Sequence, residues 1–155
     1  MSKNSIALFP GTFDPFTNGH KSVVDRALAI FDQVVIAIGV NPDKHSMFTA
    51  EERAEYINRV YEGNTHVSVV CYTGLTTDLA KQVGATVLLR GVRTVKDFEY
   101  ERELADMNRM LTGIDTVLLF TDPEYASVSS SVVRELIRYY KDVSQFVPIP
   151  INHES

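Results

Sequence analysis

The stretch Ser5–Ala27, SIALFPGTFDPFTNGHKSVVDRA, joins an apolar run to an amphipathic one through a polar loop. The run SIALF stops at Pro10 and Gly11, as a buried strand does. After the loop TFDPFTN, Gly19 and His20 open a segment whose apolar residues recur at helical spacing. A strand that leads through a loop into a helix is the first part of a βαβ unit. We therefore expect strands and helices to alternate along the rest of the chain. His20 lies where the first loop meets the first helix.

Four further runs are apolar or β-branched at nearly every position, which is typical of parallel strands covered on both faces. Amphipathic segments separate them. Five strands alternating with helices predict an α/β fold: a single Rossmann-like doubly wound domain, residues 1–155, with a five-stranded parallel sheet flanked by helices. Ligands bind such sheets beyond the carboxyl ends of the strands, near the switch point. The runs are QVVIAIGV from Gln33, VSVVCY from Val67, TVLLRGV from Thr86 and TVLLF from Thr116.

The segments between the strands carry helix signals. In the first, Lys21 and Asp25 form an outward pair four residues apart. We expect several apolar residues of the fourth helix in the core or in a contact between subunits. They are Phe98, Tyr100, Met107 and Met110, and those off the main stripe favour a self-association surface. The expected helix ends are a capping box of Thr49 and Glu52, the glycines 84 and 113, and the serines 129–131.

Composition narrows the function classes. The 155 residues are 45% hydrophobic and 23% charged, as in a globular domain. The net charge of −5 argues against non-specific nucleic-acid binding. We expect no signal peptide, no membrane span and a cytoplasmic location. The single cysteine, Cys71, excludes an internal disulfide and a cysteine metal cage, and its apolar run predicts a buried core residue.

Cationic residues follow three of the predicted strands although the protein is acidic. Lys44 follows the second strand, Arg90 and Arg93 end the fourth, and His20 lies beyond the first. We expect them at one edge of the sheet, where they would form a phosphate-binding crevice. The first loop lacks G-x-G-x-x-G, so hydride transfer of the usual Rossmann kind is disfavoured.

Each of these residues also has a purely structural interpretation. His20 caps the helix or donates a hydrogen bond to a phosphate, and the preceding loop favours the second role. Arg90 needs an anion, which is either an internal carboxylate (Glu99 or Glu101) or a ligand. Lysines in loops are usually only solvated. The serines at 129–131 exceed what a helix cap needs. For Asp14 we expect turn chemistry rather than catalysis.

Four motifs closely resemble the bacterial phosphopantetheine adenylyltransferase family, of the nucleotidyltransferase superfamily with the T/H-x-G-H signature. They are PGTFDPFTNGH, PDKHSMFTAEER, LLRGVRTVKDFEYERELADMNR and SSSVVRE. The resemblance extends from the first strand to about Pro148. It implies that ATP and 4′-phosphopantetheine give dephospho-CoA and pyrophosphate, by direct attack of the substrate phosphate and without a covalent enzyme intermediate.

The resemblance also implies roles by matching position. His20 would bind ATP and stabilise the transition state, and Thr12 would contact both the nucleotide and the acceptor phosphate. The acceptor would be held by Lys44, Thr76 and Arg90. The remaining ATP-binding positions are Phe13, Gly91, Val92, Arg93, Glu101, Tyr125, Ala126, Ser127, Val128, Ser129, Ser130 and Ser131. Mg²⁺ is expected to arrive on ATP, a homohexamer is typical of the family, and coenzyme A is a candidate feedback ligand.

Two alternatives stay open. Another nucleotidyltransferase, acting on nicotinamide mononucleotide or on a cytidine nucleotide, would share the GTFDP and GH elements but not the block from the fourth strand. A nucleotide-sensing protein would bind ATP or coenzyme A without chemistry, although it would be expected to lose at least one of the cationic residues or the serine cluster. An acceptor-dependent pyrophosphate assay separates all three.

Overall fold

Five parallel strands alternate with helices in the computed structural model, which describes residues 4–152. The α/β prediction is confirmed, and the strand ends differ from expectation by at most two residues. The strands are β1 (Ile6–Gly11), β2 (Gln33–Gly39), β3 (Val67–Tyr72), β4 (Val87–Val92) and β5 (Asp115–Phe120). The helices are α1 (Asn18–Ala27), α2 (Ala50–Val60), α3 (Thr76–Val83), α4 (Val95–Thr112) and α5 (Ser130–Arg138), with a short 3-10 turn at Pro123–Tyr125.

The sheet has the strand order β3-β2-β1-β4-β5, with every neighbouring pair parallel. The chain moves outward from β1 to β3 on one side and then crosses to β4 and β5 on the other. The switch point therefore lies between β1 and β4, which pair at Ala7 with Val87 and at Leu8 with Leu88. The loops beyond the carboxyl ends of these two strands diverge to opposite sides, which leaves a crevice between them.

The core lies on both faces of the central strands. Phe9, Ile36 and Leu89 belong to the cluster beneath α1 and α2. Leu8 and Leu88 belong to the cluster on the opposite face, which includes residues of α3. The prediction that every strand is covered on both faces is wrong for β3 and β5, which are edge strands and only partly buried.

Cys71 is likewise not a core residue, because its side chain is exposed on the edge strand β3. The thiol lies 3.9 Å from the carbonyl oxygen of Ala50. An apolar run marks a strand but does not reveal whether a neighbour covers a given face of it.

The expected helix ends are confirmed. Thr49 and Glu52 form a reciprocal capping box, and Ser129 caps α5 by accepting the N–H of Val132. Gly84 and Gly113 end α3 and α4 in the left-handed conformation, at φ 73° and 76°. The outward pair is also present, with Lys21 and Asp25 forming a 2.6 Å salt bridge.

The apolar residues named for α4 are not in the core of this chain. Phe98, Tyr100, Met107 and Met110 are all exposed, and Met110 is 83% accessible. The subunit-contact alternative is therefore the one left open for them. No helix within residues 4–152 is long and apolar enough to cross a membrane.

Candidate active site

A crevice of about 330 Å³ opens at the switch point, beyond the carboxyl ends of β1 and β4. We call it the central crevice. It brings together three of the four cationic residues expected there, as the strand ends predict. The lining includes Thr12, His20, Arg90, Arg93, Arg134 and the serines 129–131. A polar pocket with several cations and hydroxyl groups at a sheet edge suits a polyanionic ligand.

His20 completes the capping box of α1 with one ring nitrogen and can donate a hydrogen bond with the other. Thr17 is the N-cap of α1, and its backbone N–H donates to His20 Nδ1 at 3.0 Å. Because Nδ1 accepts this bond, the neutral ring carries its proton on Nε2. The pKa of the imidazole is lowered to about 4, chiefly by burial and then by the positive charges of Arg90 and Arg93. At neutral pH, His20 is therefore an uncharged Nε2–H donor.

Aromatic rings surround this imidazole and fix its plane. The ring centroid of Phe13 lies 5.0 Å from that of His20, and the ring centroid of Phe16 lies 5.5 Å away. Phe13 has a left-handed backbone, φ 53°, which is rare for a bulky residue. Its ring lies against Gly11, where a Cβ atom would stand 2.8 Å from it. Gly11 thus makes room for Phe13, and through Phe13 for the packing of His20.

Arg90 is paired with an internal carboxylate. Its Nε and Nη2 donate to the two oxygens of Glu101 at 2.8 Å each, and Nη1 donates to the carbonyl of Pro10 at 2.7 Å. Of the two carboxylates considered, Glu101 is buried and Glu99 is exposed. These three bonds hold the guanidinium of Arg90 between Glu101 and the end of β1. The guanidinium still lines the central crevice.

Arg93 connects β4 to the segment before α5. Its Nη1 donates to the carbonyl oxygen of Ala126 at 3.1 Å, and its Nε lies 3.7 Å from the carboxylate of Asp97. The side chain is one-third accessible. Its contacts are longer than those of Arg90, which makes three bonds of 2.7–2.8 Å at a similar side-chain accessibility of 30%.

The serines at the start of α5 each make a different contact. Ser129 caps the helix, Ser130 donates to the carbonyl of Pro15 at 2.8 Å, and Ser131 accepts from Arg134 at 3.2 Å. The cap explains one of the three, as expected. Arg134 also donates to the carbonyl of Asp14 at 2.8 Å, so α5 is connected to the first loop twice.

A second crevice, of about 380 Å³, lies beyond β2 and β3 and holds Lys44. Lys44 is therefore not in the central crevice, although the two are adjacent because Thr12 lines both. Tyr72 lines the second crevice, and its hydroxyl lies 2.8 Å from that of Thr76. The expected convergence thus takes the form of two pockets that meet at Thr12.

Arg53 connects the loops beneath the two crevices. It is buried, and its Nη1 donates to the carbonyls of Thr12 at 2.8 Å and Gly39 at 3.4 Å. Its Nε donates to the carbonyls of Phe48 and Thr49 at 3.1 and 3.3 Å. One guanidinium therefore joins the ends of β1 and β2 to the start of α2.

Comparison with known proteins agrees with this geometry. Residues 8–136 match the model of the cytidylyltransferase-like family. The chain is 57% identical over 146 residues to the phosphopantetheine adenylyltransferase of Porphyromonas gingivalis, covering 94% of this chain and 95% of the relative. The corresponding protein of Bacteroides thetaiotaomicron is 56% identical over 142 residues, with 92% and 94% covered. This chain belongs to the phosphopantetheine adenylyltransferase family.

The fold of this adenylyltransferase family member is shared more widely. A bifunctional NMN adenylyltransferase/ADP ribose pyrophosphatase from Francisella tularensis superposes with a TM-score of 0.70 at 15% identity, over 95% of this chain and 45% of that one. At that identity the likeness concerns the fold alone. The sequence resemblance to the adenylyltransferase family is confirmed.

Not every residue with a family-implied role lines a crevice. Glu101 has both carboxylate oxygens bonded to Arg90 and is absent from the lining of the central crevice, as are Val92 and the segment 125–127. Thr76 does not line the second crevice, but its hydroxyl is hydrogen-bonded to that of Tyr72, which does. The ATP-binding and acceptor-binding roles of these positions stay predictions.

Sequence reasoning missed Arg53 and Arg134 as site residues. For Arg134 a signal existed, because it follows Ser131 by three positions in SSSVVRE and so shares its helix face. Arg53 gave none, since an arginine in the run AEER resembles an ordinary exposed charge on a helix.

Within residues 4–152, no group of three or more His, Cys, Asp and Glu side chains is arranged to hold a metal ion. Asp14 is the one carboxylate among the described residues that line the central crevice, and it accepts two backbone N–H groups. The arginines and hydroxyl groups of the crevice are donors that suit phosphate oxygens.

Proposed function

We propose that this chain transfers the adenylyl group of ATP to 4′-phosphopantetheine, giving dephospho-CoA and pyrophosphate in coenzyme A biosynthesis. One observation carries the proposal: Thr12 lies where a crevice rich in arginine meets a second crevice that holds Lys44. Two anionic substrates bound in adjoining pockets would meet at this residue.

In this assignment the nucleotide occupies the central crevice. Arg93, Arg134 and the start of α5 would bind its phosphates, because each supplies donors or positive charge on that side. The acceptor would extend from the second crevice, with Lys44 and Arg90 on its phosphate. Thr12 would contact both substrates. Family membership supports the pairing of these particular substrates.

The reaction then needs alignment and charge rather than a protein nucleophile. An oxygen of the acceptor phosphate attacks the α-phosphorus of ATP, and the bond from that phosphorus to the β-phosphate oxygen breaks. The bonding electrons leave with pyrophosphate. Holding the two phosphates in line replaces a bimolecular encounter between anions by a step within one complex. Arg90, fixed by Glu101, would offset their repulsion.

His20 would stabilise the transition state as a neutral donor. Its Nδ1 accepts the Thr17 N–H, so the Nε2–H is available to donate to a non-bridging oxygen of the α-phosphate, which is transferred with the adenylyl group. The lowered pKa keeps the ring uncharged at neutral pH, so His20 has no additional proton to give up and would act through a hydrogen bond instead of proton transfer. Mg²⁺, carried by the ATP phosphates, would supply further charge neutralisation.

The proposal includes an assembly and a feedback ligand. A homohexamer would cover the exposed stripe of α4, where Tyr100, Leu104, Met107 and Leu111 remain accessible in the single chain. Coenzyme A contains both a nucleotide and a pantetheine arm, so it would span the two crevices and compete with both substrates. We place the enzyme in the cytoplasm.

A coupled pyrophosphate assay tests the proposal. Release of pyrophosphate from ATP should require 4′-phosphopantetheine, with dephospho-CoA formed in equal amount. Nicotinamide mononucleotide as the acceptor is expected to give no release, and turnover with it would identify another nucleotidyltransferase. Calorimetric binding of ATP without turnover on any acceptor would instead identify a nucleotide sensor.

A further inference from the structure

Asp14 has a buried carboxylate that is bonded to a different loop. It lies between β1 and α1 and is 4% accessible. Its Oδ2 accepts the backbone N–H of Met47 at 2.8 Å, and its Oδ1 accepts that of Phe48 at 2.9 Å. Two charge-assisted bonds to adjacent backbone groups fix both the position and the direction of that loop. The contact therefore goes beyond the turn chemistry expected from sequence.

The loop in question carries Lys44. It runs from Asn41 to Phe48, between β2 and α2, and Lys44 is exposed within it. Phe48 is held on its other side as well, because its carbonyl accepts from Ser46 Oγ at 2.7 Å and from Arg53 Nε at 3.1 Å. The end of the loop is thus anchored at both the N–H and the C=O of one residue. Lys44 makes a local bond within the loop, from its backbone N–H to the carbonyl oxygen of Asn41 at 3.1 Å, and the anchor at Met47 and Phe48 fixes the end of the loop that follows it.

The same residue joins the loop to the central crevice. The backbone carbonyl of Asp14 accepts from Arg134, which lines that crevice, while its side chain binds the loop of the second one. Each carboxylate oxygen accepts a backbone N–H of the loop, so the two bonds of the side chain hold the loop that carries Lys44. A change confined to the side chain removes these two bonds and keeps the backbone bond to Arg134, so we expect it to act chiefly on the acceptor side.

We infer that Asp14 is a positioning residue for the acceptor: it fixes the loop 41–48 so that Lys44 faces the junction at Thr12. This inference rests on the proposed function, in which Lys44 binds the phosphate of 4′-phosphopantetheine. In Asp14→Asn one acceptor oxygen becomes an NH₂ group that opposes a backbone N–H, so the anchor is broken with almost no change in volume.

A double-mutant cycle with Lys44→Ala tests the inference. Asp14→Asn should raise KM for 4′-phosphopantetheine roughly 10-fold and leave KM for ATP within about twofold. In the Lys44→Ala background, the same substitution should change KM for the acceptor no further. Asp32→Asn is the matched control, because Asp32 also accepts a backbone N–H, that of Ser5 at 2.9 Å, but precedes β2 at the opposite end of the sheet.

Amide hydrogen exchange gives a readout that does not depend on activity. The amides of Met47 and Phe48 should exchange faster in Asp14→Asn, with those of the central strands unchanged. If Asp14→Asn does not fold, Asp14→Ser replaces it, since a hydroxyl accepts one N–H without opposing the other. Unchanged exchange at both amides overturns the inference.

The kinetic outcomes separate the inference from the proposed function. Lys44→Ala without effect on KM for the acceptor contradicts the proposed acceptor site and this inference together. Lys44→Ala with an effect and Asp14→Asn without one contradicts the inference alone. An Asp14→Asn effect that adds fully to that of Lys44→Ala also overturns it, because Asp14 would then act by another route.

Discussion

Glu101 holds the guanidinium of Arg90 in a bidentate pair, with both N–O distances at 2.8 Å. The pair reaches from α4 to the end of β4, and the remaining Nη1 of Arg90 donates to the carbonyl of Pro10 in β1. An arginine of the central crevice is therefore oriented before any ligand binds. Ordering this side chain in advance reduces the entropy that binding would otherwise cost.

Glu101→Gln should weaken binding of the acceptor more than binding of ATP. The amide offers one acceptor where the carboxylate offered two, so the guanidinium loses its fixed plane and an ionic partner. We expect KM for 4′-phosphopantetheine to rise and the free energy of unfolding to fall by about 1–3 kcal/mol. Steady-state kinetics and urea unfolding measure the two effects. Glu103→Gln, on the exposed side of α4, is the control, and a rise in KM for ATP alone would show that Glu101 binds the nucleotide.

His20→Ala should reduce kcat roughly 10²–10³-fold while some ATP binding survives, because it removes a donor to the transition state. It also removes a helix cap, so a second variant is needed. Gln at this position keeps the capping-box contact to the Thr17 N–H but lacks the imidazole. His20→Gln should therefore restore thermal stability without restoring kcat. His66→Ala, at an exposed position just before β3, should leave kcat unchanged. Near-normal turnover in both His20 variants would exclude the proposed role.

Stability should depend on pH through His20. The pKa falls from 6.5 to about 4 on folding, so the unfolded chain binds the proton more tightly. The native state therefore loses stability as pH drops from 6.5 to about 4, and above 6.5 this effect is absent. Between pH 7 and 5 the wild type should lose about 2 kcal/mol more than His20→Gln in urea unfolding. Equal losses in the two proteins would mean that the native imidazole titrates normally.

The exposed face of α4 should mediate self-association. Met107 is 55% accessible in the single chain, and Tyr100, Leu104 and Leu111 lie on the same stripe. Met107→Glu would place a charge within a buried contact, so sedimentation velocity should show smaller species with an unchanged circular dichroism spectrum. Arg102→Glu, exposed elsewhere on the helix, is the control. A monomeric wild type, or an assembly unaffected by Met107→Glu, would place the interface on another surface.

The sequence determined the strands and the edge of the sheet that carries the site, because both follow from local patterns. The run before Pro10 marks a strand, and the carboxyl ends of parallel strands meet at one edge. Arg90 was recognisable as needing an anion because it ends a buried run. Which of two carboxylates satisfies it depends on the rotation of α4, and the structure selects Glu101 over Glu99.

Tertiary contacts account for what the sequence did not reveal. Cys71 is exposed because β3 is an edge strand, and strand order is not encoded in the composition of one run. Arg53 is recognised as a site residue only from the structure, where its guanidinium donates to four carbonyls from three segments. From the sequence alone, Asp14 is predicted to be a turn residue. Its bonds to the loop that follows β2 appear only in the folded structure.

The central position of β1 separates the two crevices to its left and right. One flank consists of the loops that follow β2 and β3, and the other of β4 and the start of α5. Asp14 contacts both flanks, so we expect a mutation elsewhere on one flank to disturb the other little. Under the proposed assignment, a lineage could change its acceptor through the first flank and keep its nucleotide site on the second, provided that Thr12 stays at the boundary.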